Sequence, residues 1–250
     1  MKKYHHITHN RYTFAILLAS LCATNYYTQA IPPSTQTFPI VKCDPTPNTY
    51  EQIFLTTLRD KNSTREEFRY AANKLIEFLV SKIFNCLETE TIAIETPVDS
   101  CEGKVLKDSI DQIVSVMRSG DVPLNIFSKY FPSAAINKIL IQRNEETAEP
   151  IFKYKKFSPT ISRAKKVLIA EPMIATGGTL CMVIELLKKQ GLEPKNIIIA
   201  AICAAPEGLQ RLTDLYPEIS VVVTVIDDQL NSHKYITPGI GDFGDRYFGT

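Results

Sequence analysis

The chain has 250 residues, with 28 Lys+Arg against 27 Asp+Glu and a formal charge of +1. That balance excludes a nucleic-acid binder driven by phosphate electrostatics, which needs a basic excess. With 44% hydrophobic and 22% charged residues the chain reads as globular rather than disordered. It has no run of 18 or more apolar residues, hence no ordinary membrane span, and it is long enough for one domain with a sizeable core.

The first acid is Asp44, and the 43 residues before it carry Lys2, Lys3, Arg11 and Lys42. Residues 14–23 (FAILLASLCA) form an apolar run, followed by small and polar residues to Ala30 and then Pro32-Pro33. This is the layout of a secretory signal peptide. The lack of acids also suits a transit peptide, and an upstream start codon or a loose N-terminal helix is the plainer alternative. Prolines at 32, 33, 39, 45 and 47 make residues 31–49 a linker or extended arm. The expected division is a leader and linker at 1–43 and one domain at 44–250.

From Thr64 the pattern is helical, with Thr64 as cap, Glu66 and Glu67 in the first turn, and Phe68, Ala71, Ala72, Leu75, Leu79 and Ile83 on one face. TIAIE (91–95), IVSVM (113–117) and INKILIQ (136–142) read as strands, with a helix-like piece between the last two, and residues 148–162 as a polar, Lys-rich loop. KVLIA (166–170), IIIAAICAA (197–205) and ISVVVTVI (219–226) are continuous apolar strands. Helices at about 179–190, with Gly191 suited to its C-terminal cap, and from Pro206 to about Tyr216 separate them. Strands apolar on both faces and separated by helices imply an α/β fold, a Rossmann-like mostly parallel sheet flanked by helices. The six Cys show no CxxC pair and only His233 lies outside the leader, so no metal-ligand set is expected. The lack of a disulfide framework points to a reducing compartment, and Cys181 and Cys203, inside apolar runs, are expected to pack as small hydrophobes.

The informative segment is Glu171-Pro172-Met173-Ile174-Ala175-Thr176-Gly177-Gly178-Thr179. A buried strand ends in a carboxylate, and a loop with two glycines and two threonines leads into a helix. Backbone N–H groups and the positive helix end converge there, as a dianionic phosphate requires. Gly177 and Gly178 permit close backbone approach, Thr176 and Thr179 offer hydroxyls, and Glu171 sits where open α/β sheets bind ligands. Taken alone, a Gly-Gly turn serves a strand-to-helix connection equally well; the complete arrangement favours the phosphate. No G-x-x-x-x-G-K-[ST] is present, so this is not a triphosphate P-loop.

The stretch resembles the phosphoribosyl pyrophosphate motif of type I phosphoribosyltransferases in the form used by uracil phosphoribosyltransferases. Arg143-Asn144-Glu145-Glu146-Thr147, Ala204-Ala205-Pro206-Glu207-Gly208 and Tyr235 to Thr250 are similar to further blocks of that family, in the same order, from about residue 50 to the end. Gly239, Gly241 and Gly244 also satisfy G-x-G-x-x-G, but only six residues remain after Gly244, so a dinucleotide reading with a following helix is rejected.

The resemblance implies the type I phosphoribosyltransferase fold with a C-terminal hood, and conversion of uracil and phosphoribosyl pyrophosphate to UMP and pyrophosphate. It assigns Glu171, Pro172, Met173, Ile174, Ala175, Thr176, Gly177, Gly178, Thr179 and Asp242 to phosphoribosyl pyrophosphate, with Arg118 and Arg143 on its pyrophosphate. Ile236, Gly241, Asp242 and Phe243 fall to uracil, and Asp242 and Glu171 to catalysis. It adds Mg²⁺ carried on the pyrophosphate, a homodimer, a possible GTP effector and a cytoplasmic location, the last against the export-like residues 1–30.

Three departures stand out. Glu171 replaces the family's Asp, and residues 96–110 match nothing in the pattern. The family's R-A-G-x-G is Arg118-Ser119-Gly120-Asp121-Val122 here. A carboxylate ~4 Å from pyrophosphate, at an effective dielectric of ~20, is repelled on the order of 4 kcal/mol per charge pair unless Mg²⁺ or Arg118 offsets it. Asp121 therefore motivates an alternative, a non-catalytic relative that binds a uracil nucleotide as a sensor or partner.

Overall fold

The computed structural model describes residues 36–143 and 150–250. The signal-like segment of the leader, the side chain of Arg143 and residues 144–149 lie outside them.

Two helices open the domain. Helix α1 (Thr49–Arg59), in a stretch the sequence pattern leaves unassigned, carries a capping box between Asn48 and Glu51. Helix α2 (Arg65–Asn85) starts as expected, with Thr64 Oγ1 accepting from Glu67 N–H and Glu67 Oε2 accepting from Thr64 N–H. An exposed antiparallel hairpin follows, β1 (Thr89–Glu95) and β2 (Ser100–Leu106), which accounts for the unmatched segment. Then come β3 (Gln112–Met117), α3 (Asp121–Tyr130), β4 (Ala135–Arg143), β5 (Pro150–Lys156), β6 (Val167–Ala170), the short β7 (Met173–Ile174), α4 (Gly178–Lys188) and β8 (Ile197–Ala204). The chain ends with α5 (Pro206–Leu215), β9 (Ser220–Ile226), β10 (Gln229–Leu230), β11 (Ile236–Thr237) and α6 (Phe243–Phe248).

The main sheet runs β5-β4-β3-β6-β8-β9, with β7 continuing the line of β6 along β8. Every pairing is parallel except β4 with β5. This is the expected mostly parallel α/β sheet with helices on both faces. Alternation along β6 divides the core: Leu168 and Ala170 face α1, α2 and α3, whereas Val167 and Ile169 face α4 and α5. Helix α4 ends in a Schellman turn, with Leu192 N–H on Leu187 C=O, Gly191 N–H on Lys188 C=O, and Gly191 at φ 92°.

Three expectations need correcting. Residues 148–162 are not all loop: residues 150–156 form β5, an edge strand in which Phe152 and Tyr154 alternate with Lys153 and Lys155. Residues 38–43, placed with the linker, pack on the domain. Phe38 and Ile40 are buried, Lys42 N–H bonds Val221 C=O, and Cys43 Sγ lies 3.3 Å from Val223 C=O. A six-residue helix does occupy the C-terminus, but Gly244 lies inside it, so the glycines still do not lead into a dinucleotide-type helix.

The end of α1 fastens the C-terminal hood. Arg59 makes a bidentate pair with Asp227, at 2.6 and 3.1 Å, and also donates to Gly239 C=O. Burial, the largest single influence, opposes its charge, but the hydrogen bonds to Asp227 together with the nearby charges of Cys203, Asp227 and Asp228 outweigh it and leave its pKa above the ordinary arginine value. Arg246 donates to the carbonyls of Leu58, Asp60 and Ile240 and stacks 4.3 Å over Phe68. Replacing Asp227, whose side chain is 2% exposed, by Ala is expected to destabilise the protein by about 2–4 kcal/mol in urea unfolding. The loss sits below the upper end of that scale because Arg59 keeps 26% of its side chain in solvent.

Candidate active site

Parallel strands deliver their carboxyl ends to one edge, where open α/β sheets bind ligands. A cleft of about 930 Å³ lies there. Val116 to Ser119 at the end of β3, Glu171, Met173 and Ala175 between β6 and α4, and Thr179 at the start of α4 line it. Leu140, Ile141, Gln142, Ile151 and Lys153 form one wall, and Lys234 to Ile236 with Gly241 to Asp245 form the hood.

The loop between β7 and α4 makes the sharp strand-to-helix turn that its two glycines imply. Gly177 stands at φ 73° and serves as the N-cap of α4 without a side-chain capping bond. The first intrahelical bond runs from Cys181 N–H to Gly177 C=O at 2.9 Å. The N–H groups of Thr179 and Leu180 precede it and so have no intrahelical acceptor, which suits an anion at the helix end. The AAPEG block supports the loop from behind. A Cβ on Gly208 would lie 2.2 Å from Ala175 C=O, and Glu207 Oε1 accepts from Leu230 N–H at 2.8 Å, tying α5 to the base of the hood.

Of the residues expected on phosphoribosyl pyrophosphate, Arg118, Glu171, Met173, Ala175, Thr179 and Asp242 line the cleft. Thr176, Gly177 and Gly178 form the turn beside it, with Thr176 Oγ1 accepting from Gly178 N–H at 3.4 Å. Pro172 and Ile174 are buried, and their contribution is made through the backbone. Pro172 C=O accepts from Ile202 and Cys203, and Ile174 C=O from Ala205, which fixes β7 against β8. All four residues expected on uracil, Ile236, Gly241, Asp242 and Phe243, line the cleft. The Phe243 ring is buried, 5.6 Å from Tyr247 and 5.7 Å from Phe68, so it anchors the hood while its backbone stays at the cleft. Asp242 is exposed and caps α6, accepting from Asp245 N–H at 2.9 Å.

Arg118 reaches toward the hood. Its guanidinium lies 3.2 Å from Asp245 Oδ1 and 3.2 Å from Thr250 Oγ1, and 5.7 Å over the Phe248 ring. Asp121 departs from its expected repulsion. Its Oδ1 sits 2.6 Å from Lys138 Nζ and accepts from Ser115 Oγ at 2.5 Å, so the charge is offset by Lys138, not by Arg118. Lys153 and Lys234 are cleft cations that the sequence pattern hides, the first in a Lys-rich stretch, the second at a left-handed position with φ 65°. Cys181 and Cys203 are buried as expected. Burial and the neighbouring Asp227 push the Cys203 thiol well above its ordinary pKa, and Cys203 Sγ donates to Asp227. Among the described residues, no group of three His, Cys, Asp or Glu is placed to cage a metal ion, and no helix is long and apolar enough to cross a membrane.

The family model for uracil phosphoribosyltransferase matches residues 46–250. A uracil phosphoribosyltransferase from Dictyoglomus thermophilum is 37% identical over 196 residues, covering 78% of this chain and 93% of its own. Uracil phosphoribosyltransferase 1 from Schizosaccharomyces pombe is 39% identical over 195 residues, covering 78% and 89%. Among solved structures, a protein from Aquifex aeolicus superposes with a TM-score of 0.68 at 28% identity, covering 81% of this chain and 96% of its own. The family model over residues 46–250 and these relatives agree, and the chain belongs to the uracil phosphoribosyltransferase family.

Proposed function

We propose that the protein is an active uracil phosphoribosyltransferase, joining uracil to phosphoribosyl pyrophosphate to give UMP and pyrophosphate. The observation that carries this reading is one cleft lined both by the start of α4, at Thr179, and by Gly241, Asp242 and Phe243. A ribose phosphate and a planar base held at those two places meet at the anomeric carbon between them.

In this reading the α4 terminus with Thr176 and Thr179 takes the 5-phosphate. Glu171 accepts from the ribose hydroxyls, and Arg118 takes the pyrophosphate, joined by Arg143. Backbone groups around Ile236 and Gly241–Phe243 read the edge of the base, and Asp242 orients it. As the bond to pyrophosphate breaks, positive charge grows on the anomeric carbon and negative charge on the leaving oxygen. The site acts chiefly by positioning and by fixed charge. Mg²⁺, carried on the pyrophosphate as part of the substrate, would supply charge neutralisation for the leaving group. The carboxylates of Glu171, Asp242 and Asp245 that line the cleft are oxygen donors of the kind such an ion accepts. The Lys138 partner of Asp121 removes the motive for a non-catalytic sensor. A homodimer, a GTP effector and a cytoplasmic site of action complete the proposal. Light scattering with and without GTP tests the first two.

Full-length protein with Mg²⁺ is expected to release UMP from phosphoribosyl pyrophosphate when uracil is supplied, and to give no product with cytosine or hypoxanthine. No turnover by correctly folded protein would sink the proposal. Glu171→Gln is expected to lower kcat/KM at least about 100-fold while retaining the melting temperature, because it removes a charge felt at the anomeric centre, a loss of the size seen when one such electrostatic group is deleted. Steady-state kinetics beside a thermal melt check this. Glu171→Asp, which restores the family's residue, is expected to stay within about tenfold of wild type.

A further inference from the structure

A charged cluster beside the cleft takes no part in the proposed reaction. This is Asp121, Lys138 and Ser115, set on three different elements.

Asp121 is the first residue of α3, Ser115 lies on β3 and is fully buried, and Lys138 lies on β4. One carboxylate oxygen, Oδ1, accepts from Ser115 Oγ at 2.5 Å and from Lys138 Nζ at 2.6 Å. The same residue's backbone N–H donates to Arg118 C=O at 3.0 Å. Asp121 thus holds the turn that carries Arg118 at its carbonyl while its side chain grips two adjacent strands. The turn cannot drift the other way. Gly120 N–H bonds Val116 C=O, and a Cβ on Gly120 would lie 2.3 Å from the carbonyl of Ala170, the residue just before Glu171. Charge-assisted bonds of this length are the strong ones, and Lys138 also cancels the negative charge that would otherwise face an incoming anion.

We propose that Asp121 and Lys138 form a positioning pair for pyrophosphate binding. Asp121 fixes the Met117–Gly120 turn so that Arg118 points into the cleft, and Lys138 makes that carboxylate compatible with a polyanionic substrate. The inference rests on the assignment of Arg118 to the pyrophosphate.

The test is steady-state kinetics on full-length Asp121→Ala, Lys138→Met, Asp121→Asn/Lys138→Met and Arg118→Ala, with thermal melts. Asp121→Ala is expected to raise KM for phosphoribosyl pyrophosphate about tenfold while KM for uracil, measured at saturating co-substrate, stays within about twofold. Lys138→Met leaves the carboxylate charged and unpaired and is expected to raise the same KM further. The double variant, which keeps an acceptor for Ser115 and removes both charges, is expected to recover most of that second loss. If Arg118→Ala raises KM for phosphoribosyl pyrophosphate and the other variants stay within twofold of wild type, the positioning claim falls alone. If Arg118→Ala also changes nothing, the pyrophosphate assignment itself falls. Equal losses for both substrates that track a lowered melting temperature assign the cluster to folding and overturn the proposal.

Discussion

The active edge of this protein depends on two turns packed backbone to backbone. The loop after β7 crosses the start of α5 so closely that a Cβ on Gly208 would lie 2.2 Å from Ala175 C=O, and one on Gly177 would lie 2.9 Å from Gly208 C=O. Only glycine fits at either place, and Gly177 also takes a backbone angle that other residues avoid. The contact sets the direction in which α4 leaves the sheet, and with it where its amino end points. The sheet supplies the rigid floor, but this crossing aims it. The same device recurs where Gly120 meets the end of β6, which brings the Arg118 turn and Glu171 to one place.

The charges that could meet an anion are local. A chain with a formal charge of +1 offers no general attraction to phosphates. The cleft instead sets Arg118, Lys153 and Lys234 against Glu171, Asp242 and Asp245. Arg118 rests on Asp245, half exposed, so the guanidinium is held at the cleft edge by a weak, solvent-exposed pair. The hood is held more firmly, since Arg59 and Arg246 join it to the end of α1 through a buried carboxylate and several carbonyls.

Much of this was legible in the residues. KVLIA, IIIAAICAA and ISVVVTVI are apolar on both faces because they lie inside a covered parallel sheet, and the Thr-Gly-Gly-Thr loop follows from what a strand-to-helix phosphate site needs. Thr64 with Glu67 and the glycine after α4 were readable because caps are local chemistry. What escaped depends on distant partners. Phe38 and Ile40 look like linker residues until β9 is beside them. Strand β5 looks like a lysine-rich loop until β4 supplies its hydrogen bonds, and Lys153 reads as solvated until that pairing brings it to the cleft. Asp121 looks like a repulsive intrusion until Lys138, 17 positions later, is found against it. Arg59 and Asp227, 168 positions apart, gave no local sign at all.

The central claim is that a glycine-backed helix end holds the ribose phosphate. Calorimetry of UMP binding to wild type and to Gly208→Ala, with a circular dichroism spectrum of each, tests it most directly. The added methyl has to displace the Ala175 carbonyl and so tilt the loop. Gly208→Ala is expected to fold and to bind UMP at least about tenfold more weakly, since a displaced phosphate loses hydrogen bonds worth about 1.4 kcal/mol or more. A folded variant that binds UMP within twofold of wild type would contradict it.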